Sequence, residues 1–217
     1  MTVATYFRWF AWLILSALTL LLAVLFSYYG YNAYQLRAKF ADLENPHLQT
    51  CAANQRWQIP LTLTQYPNRL VAFTQMLERD FGAFIWRNII RADNATLSEK
   101  LIATLEIKRR YSEEQQLLFG LNYTPMAQQD GCTIIGFNAG AQYYFAKTLD
   151  QLSIAEMTLL IAISRAPNYY NPVTHPAKAL ERRNTALEIL LHKDLITQQE
   201  YEQALKEPLF ITGQHFP

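Results

Sequence analysis

Three cationic side chains near the end of the chain could bind an anion. Arg182 and Arg183 are adjacent, and Lys147 precedes them. Guanidinium groups bind diphosphates through paired hydrogen bonds, and a lysine adds a point charge. Other roles are open for each: one arginine could pair with an acid such as Glu156 or Glu181, and Lys147 could be the cation that a helix C-terminus favours. We predict all three as substrate-binding residues.

Two glutamates could act as acids or bases. Glu78 stands beside Arg79, and Glu99 stands beside Lys100. A carboxylate serves as a general base when it lies within hydrogen-bond reach of the reacting hydroxyl and has a suitable pKa. Both glutamates could instead be solvated charges on a helix surface. They are the catalytic candidates if the chain is an enzyme.

Other classes of chemistry find little support in the sequence. His175, His192 and His215 have no cysteine or acidic partner at metal-ligand spacing, so no metal site is predicted. Neither a glycine-rich phosphate loop nor a nucleophile elbow occurs. The net charge is only +1 and no basic face dominates, which excludes nucleic acid as an expected partner. We predict no cofactor, although an active enzyme could use a divalent cation.

Three helices are predicted to position these side chains. The first covers 138–147, and its small residues allow close approach to a neighbour. The second begins with the capping box Ser153-x-x-Glu156, is almost entirely apolar, and stops before Pro167. Pro176 suits the first turn of the third helix. Leucines line one side of that helix, at Leu180, Leu187, Leu190 and Leu191. The sequence therefore predicts an all-α domain.

The order of these motifs resembles the peptidoglycan glycosyltransferases of family 51. This is the lysozyme-like domain of class A penicillin-binding proteins and of monofunctional transglycosylases. The family has the runs Gly-x-x-Ala-Ala-x-x-Tyr-Phe-Gly-Lys, Leu-x-x-Ala-Glu, Ala-Pro-x-x-Tyr-Asn-Pro and Arg-Arg-x-x-Val-Leu. The matching segments here are 136–147, 152–156, 166–172 and 182–187. The resemblance implies a lysozyme-like fold and covers the C-terminal half well.

The N-terminal half departs from the family where catalysis is expected. The family's general base is the glutamate of a Glu-Asp-x-x-Phe run. Aligned on Phe73 and Phe81, that glutamate falls on Leu77, and Glu78 takes the aspartate position. A slip of one residue would restore Glu78 but would turn a helix by about 100°. The family's Gly-Gly-Ser-Thr-Ile-Thr-Gln-Gln motif, which helps hold the donor diphosphate, is absent from the sequence.

The family's second carboxylate, in an Arg-Lys-x-x-Glu run, is also replaced. Ala103 or Lys100 stands in its position, and Glu99 is the nearest acid. The leucines here recur every four residues, at Leu97, Leu101 and Leu105. This spacing predicts an amphipathic helix with Glu99 and Lys100 on its solvent-exposed side.

A membrane segment is predicted near the N-terminus. The sequence between Arg8 and Arg37 contains no charged residue and is long enough to cross a hydrocarbon core of about 30 Å. Tryptophans stand at one end and tyrosines at the other, as interfacial residues do. A cleaved signal peptide would have a shorter apolar core and a small-x-small cleavage site, which fits this segment poorly. The family resemblance implies a cytoplasmic N-terminus and a periplasmic domain.

These observations divide the chain into four parts. We expect an N-terminal tail at 1–8, a transmembrane helix at 9–34, a connector at 35–69 and a transglycosylase-like domain at 70–217. Cys51 and Cys132 are the only cysteines. They could pair in the oxidising periplasm, where closing a loop of about 80 residues would contribute up to ~4 kcal/mol, or they could remain thiols.

The resemblance and its departures predict a single-pass protein of the bacterial inner membrane that has lost catalysis. We expect it to act as a binding or scaffold module for the lipid-linked peptidoglycan precursor, the nascent glycan or envelope proteins. One alternative is an active glycosyltransferase in which Glu78 and Glu99 face each other across the cleft. Another is an assembly factor for a different envelope machine.

Overall fold

The computed structural model describes residues 3–37, 62–77, 85, 96–129, 131–209 and 211, and this part of the chain is mostly helical. The helices are α1 (Val3–Gln35), α2 (Asn68–Leu77), α3 (Leu97–Arg110), α4 (Glu113–Tyr123), α5 (Phe137–Phe145), α6 (Ile154–Ile163), α7 (Pro176–His192) and α8 (Gln198–Lys206). Between α4 and α5 lies an antiparallel hairpin of β1 (Pro125–Gln129) and β2 (Cys132–Ile135). Short 3₁₀ turns occur at Leu63–Gln65 and Leu149–Gln151.

Helix α6 lies at the centre of the main core. Its N-terminus has the predicted capping box: the Glu156 amide donates to Ser153 Oγ at 3.1 Å, and the Ser153 amide donates to Glu156 Oε2 at 2.9 Å. From Met157 to Ile163 every side chain is buried. The helix packs against α7, α2, α5 and α8. An apolar helix of this kind is stable only when neighbours cover it on all sides.

Helix α5 packs closely between the hairpin and α6, as its small residues predict. A Cβ atom on Gly140 would lie 3.0 Å from Met126 Cγ and 3.2 Å from Leu160 Cδ1. The buried Tyr144 hydroxyl donates to the Met126 carbonyl at 2.8 Å. The absence of a side chain at Gly140 therefore allows α5 to approach both neighbours.

The hairpin was not predicted from the sequence, and a glycine connects it to α5. Gly136 has φ = +86°, and a Cβ atom there would lie 2.5 Å from the Asn122 carbonyl oxygen. Its amide donates to the Thr124 carbonyl at 2.8 Å. Asn122 is itself buried and accepts a hydrogen bond of 2.6 Å from the Tyr66 hydroxyl, whose pKa is raised by burial. Tyr66, which falls in the predicted connector, lies in the main core.

Helix α1 includes the predicted membrane segment. The stretch Trp9–Gln35 is long and apolar enough to cross a membrane. Its C-terminal end packs against α3, where the Tyr28 hydroxyl lies 2.8 Å from Ser98 Oγ and the Tyr29 hydroxyl donates to the Glu106 carboxylate. A second, smaller core forms at this contact from Leu36, Ile85, Ile102, Ala103, Ile107 and Tyr111.

Glu106 is a buried carboxylate at this contact, with only 1% of its surface exposed. Arg109 Nη2 and Arg110 Nε donate to it at 2.9 and 3.0 Å. Hydrogen bonds from Arg109, Tyr29 and Arg110 lower the pKa of Glu106 to about 2. The ionised carboxylate therefore connects α3 to the end of α1.

The orientation of α3 differs from the expectation. The helix itself was predicted, but its leucines are exposed by 84% at Leu97, 61% at Leu101 and 49% at Leu105. The opposite face, which includes Ile102 and Glu106, is buried instead. The charged Glu106 side chain can be buried there because two arginines and a tyrosine hydroxyl satisfy it.

We predict that Gly136→Ala lowers the free energy of unfolding in detergent by about 2 kcal/mol or more, because an alanine would be strained at positive φ and would clash with the Asn122 carbonyl. Gly131→Ala is the matched control. Gly131 has φ = +80° but nothing within 4 Å of its added Cβ, so we expect a loss of only about 1 kcal/mol. Equal losses in denaturant titrations would contradict the proposed clash.

We also predict that Glu106→Gln lowers the free energy of unfolding by about 2 kcal/mol at neutral pH, since hydrogen bonds to the charged group are lost. The depressed pKa means that this contribution is present above pH 4.5 and disappears as the pH falls toward about 2. The difference between variant and parent should therefore shrink in denaturant titrations at low pH. Glu202→Gln, on the exposed surface of α8, is the control. A difference that does not depend on pH would contradict the role of the ionised carboxylate.

Candidate binding cleft

A cleft of about 150 Å³ lies where α2 and α7 pack against the C-terminal end of α6. Its walls are mainly apolar, with side chains from Leu77, Phe137, Ile161, Ala162, Ala186 and Ile189. The polar lining comes from Thr74, Ser164, Arg165 and Arg182. Among the described residues that line the cleft, none is acidic. Two guanidinium groups beside apolar walls suit a ligand that combines an anion with a hydrocarbon part.

Local sequence explains why the cleft opens at this point. Helix α6 ends at Ile163, and the Ser164 hydroxyl donates to the Ile161 carbonyl at 2.7 Å. The chain then turns through Ala166 and Pro167, so Arg165 stands at the end of the buried helix. The end of an otherwise covered helix thus becomes one wall of the cleft.

Arg182 is the predicted anion-binding residue that reaches this cleft. Its guanidinium carbon lies 5.6 Å from the centroid of the Tyr170 ring, a cation–π distance. Its Nε atom is buried and has no hydrogen-bond acceptor among the described residues. A buried N–H without an acceptor costs about 1–3 kcal/mol. An anion in the cleft would supply that acceptor.

The neighbouring Arg183 has a different environment. It is buried, and its Nη1 donates to the Glu207 carbonyl at 2.9 Å. Its Nη2 donates to the Leu205 carbonyl at 3.4 Å, and burial lowers the pKa of the guanidinium. Arg183 therefore joins α7 to the C-terminal end of α8, and the structure separates the predicted arginine pair.

Lys147 does not line the cleft. Its Nζ lies 2.6 and 2.8 Å from the two carboxylate oxygens of Glu156. One of these oxygens also accepts from the Ser153 amide at the start of α6. Glu156 therefore caps α6 and pairs with Lys147. The sequence had suggested Arg182 or Arg183 as a partner for Glu156.

The candidate carboxylates are placed as follows. Leu77, on which the ungapped alignment with the family's Glu-Asp-x-x-Phe run is predicted to place the catalytic glutamate, lines the cleft. Glu78 lies outside the described residues. Glu99 accepts from the Thr96 amide at 2.6 Å and from the Thr96 hydroxyl at 2.8 Å, so it caps α3. The spacing Thr96-x-x-Glu99 is a capping box, from which this role could have been predicted.

Other site residues were missed or remain predictions. Arg165 and Tyr170 were not singled out as site residues, although both lie in or beside the Ala-Pro-x-x-Tyr-Asn-Pro motif. For the cysteines, Cys51 lies outside the described residues and only the backbone of Cys132 is described, in β2. The disulfide therefore stays a prediction.

Comparison with known proteins identifies relatives of this domain. The sequence profile of the transglycosylase family matches residues 85–191. Penicillin-binding protein 1B of Vibrio cholerae is 34% identical over 126 residues, 57% of this chain and 16% of that protein. Penicillin-binding protein 1A of Aquifex aeolicus is 34% identical over 128 residues, 58% of this chain and 17% of that protein. The matches therefore span about a sixth of these relatives.

A longer match and a solved structure extend the comparison. Penicillin-binding protein 1B of Buchnera aphidicola is 28% identical over 187 residues, which cover 86% of this chain and 22% of that protein. The crystal structure of penicillin-binding protein 1A from Haemophilus influenzae has a TM-score of 0.46 and 27% identity. The match covers 73% of this chain and 19% of the chain in the Haemophilus influenzae structure.

The different environments of the two arginines lead to opposite predictions for stability. Arg183→Met should lower the free energy of unfolding by about 2 kcal/mol, because the carbonyls of Leu205 and Glu207 lose their donor. Arg182→Met should not lower it and should raise it by up to about 1–3 kcal/mol, because the variant removes a buried N–H that has no acceptor within the described part of the chain. Denaturant titrations of the two variants in detergent test this. Equal destabilisation would mean that Arg182 also supports the fold.

Proposed function

Because this chain carries a transglycosylase domain of glycosyltransferase family 51, we propose that it binds that family's lipid-linked substrate or glycan without polymerising it. The predicted lysozyme-like fold is confirmed. The domain is homologous to the peptidoglycan glycosyltransferase domains of penicillin-binding proteins 1A and 1B. The proposal concerns what this particular domain still does.

The observation that carries the proposal is the side chain of Leu77. It lines the cleft at the position that the family resemblance gives to the general base. An aliphatic side chain accepts no proton, and a general base typically contributes 10²–10⁴-fold to a rate. The family's donor-site motif is also missing from the sequence. Turnover should therefore fall far below that of an intact glycosyltransferase.

Binding makes fewer demands on the cleft than turnover does. Arg182 and Arg165 provide positive charge, and Ile161, Ala186 and Ile189 provide apolar surface. A lipid-linked precursor combines a diphosphate with a polyprenyl chain, so it matches both features. Binding of this kind needs no metal. A divalent cation would have a role only if the protein were an active enzyme. Lys147 and Arg183 contribute to this proposal by holding α6, α7 and α8 in place.

The location of the domain forms part of the same proposal. Helix α1 would anchor the protein in the inner membrane as a single span, with the domain on the periplasmic side. The apolar stretch Trp9–Gln35 and the homologous penicillin-binding proteins support this arrangement. Envelope proteins that need a local supply of precursor or glycan would then be its partners.

The test uses the full chain in detergent with lipid-linked disaccharide-pentapeptide. We expect binding in thermophoresis titrations and no glycan polymer on gels. Arg182→Gln should weaken binding about tenfold or more, because a charge-assisted hydrogen bond is lost. Lys178→Gln is the matched control, since Lys178 lies on the same helix but 3.9 Å from the centroid of the exposed Tyr169 ring. That variant should bind like the parent.

Two results would contradict the proposal. Glycan polymer made by the parent and abolished by Glu78→Gln would show an active enzyme. Absence of precursor and glycan binding, combined with capture of envelope proteins that depends on Arg182 or on the half-buried Tyr143 of α5, would support an assembly factor instead.

A further inference from the structure

The cleft has room for about one isoprene unit. Its volume is about 150 Å³, and the wall side chains of Phe137, Ile161, Ala162 and Ala186 are buried. Apolar cavities of about this volume bind benzene, and an isoprene unit is close to benzene in size. Pockets that enclose drug-sized ligands have about 300–1,000 Å³. A disaccharide belongs to that larger class, so the cleft can enclose an isoprene unit but not a pair of sugar rings.

The polar lining of the cleft lacks the acceptors that sugar hydroxyls need. The hydroxyl groups of Thr74 and Ser164 donate to the carbonyls of Leu70 and Ile161, each at 2.7 Å. No described residue that lines the cleft carries a carboxylate or a side-chain amide. Every sugar hydroxyl brings a proton that must find an acceptor, and burying it without one is unfavourable. The lining therefore disfavours a sugar ring inside the cleft.

Helix α7 places the cationic and the apolar parts of the lining next to each other. Arg182, Ala186 and Ile189 all line the cleft. Their spacing of i, i+4 and i+7 puts them on one side of the helix, with Arg182 about 6 Å along the axis from Ala186. An anion at Arg182 therefore lies beside the apolar wall. In a prenyl diphosphate the first isoprene unit is bonded directly to the phosphate, so this ligand has the same order over the same short distance.

The guanidinium group of Arg182 would hold the anion at that position. Its buried Nε has no acceptor among the described residues, and a phosphate oxygen would provide one through a charge-assisted hydrogen bond. Arg165 also lines the cleft and is exposed, so it stands at the mouth. A diphosphate between the two guanidinium groups would have its second phosphate toward solvent. In a lipid-linked precursor, that second phosphate carries the sugars.

We propose that the cleft recognises the prenyl diphosphate group itself and not the sugar attached to it. A prenyl diphosphate without any sugar would then bind as well as the sugar-bearing precursor. The inference rests on the proposed function and narrows it, because it names the part of the ligand that provides the affinity. It also makes the sugar-free carrier, which is released when the sugar is transferred, a ligand of this protein.

The test uses the full chain in detergent and water-soluble probes, each titrated by calorimetry. The probes are inorganic diphosphate, dimethylallyl diphosphate, which carries a single isoprene unit, and N-acetylglucosamine diphosphate. We expect dimethylallyl diphosphate to bind about tenfold or more tighter than inorganic diphosphate, because the isoprene unit is removed from water. N-acetylglucosamine diphosphate should bind within about threefold of inorganic diphosphate, since its sugar stays outside the cleft.

Matched variants at exposed positions test the apolar wall. Ile189 is 38% exposed at the edge of the cleft, so its replacement should not disturb the fold. Ile189→Gln should weaken the binding of dimethylallyl diphosphate about fivefold more than that of inorganic diphosphate. Val173 is 48% exposed and is not part of the cleft lining, so Val173→Gln should bind every probe like the parent.

Several outcomes separate this inference from the proposed function. Tighter binding of N-acetylglucosamine diphosphate than of dimethylallyl diphosphate would overturn the inference, as would equal binding of all the probes. The proposed function would still stand in either case if the lipid-linked precursor bound and Arg182→Gln weakened its binding. Failure of the lipid-linked precursor itself to bind would overturn the proposed function.

Discussion

The complete burial of α6 is the constraint on which the main domain depends. Seven consecutive side chains from Met157 to Ile163 are hidden from solvent, so the helix must be covered by α2, α5, α7 and α8. The side chains of Ser153 and Glu156 accept hydrogen bonds from backbone amides at the N-terminus of this helix. Its C-terminal end emerges at Ser164 and Arg165, and this end forms the cleft wall. The site therefore results from the packing of the core.

The same packing explains how binding and catalysis can separate. The cleft needs the arrangement of α2, α6 and α7, which apolar contacts maintain. Under the proposed function, the family's general base would stand at the end of α2, where Leu77 lines the cleft. Leucine in place of an acid would remove the base and leave a surface that packs well. Turnover would then be lost while the fold and the cationic side of the cleft are kept.

The sequence predicted the parts of the structure that are determined by residues close together in the chain. The capping box at Ser153 and the proline at Pro176 mark helix ends within a few residues, and both were read correctly. The different environments of Arg182 and Arg183 could not be predicted from such local signals. Adjacent helix residues differ by about 100° in direction, and tertiary packing decides which of them faces the cleft.

The errors elsewhere have related physical causes. The four-residue leucine spacing in α3 correctly indicated a helix but suggested the wrong buried face, because Glu106 is paired by residues that include Tyr29, 77 positions away. The hairpin before Gly136 consists of two very short strands, which give little periodic signal. Pairing of Lys147 with Glu156 likewise connects the segment after α5 to the start of α6.

The central claim is that the cleft binds its ligand without a catalytic base. A crystal structure of the full chain with the lipid-linked disaccharide bound would test it most directly. The account predicts that the diphosphate lies against Arg182, with no carboxylate within about 3.2 Å of the acceptor hydroxyl. Glu78 or Glu99 at that distance from the hydroxyl would contradict it.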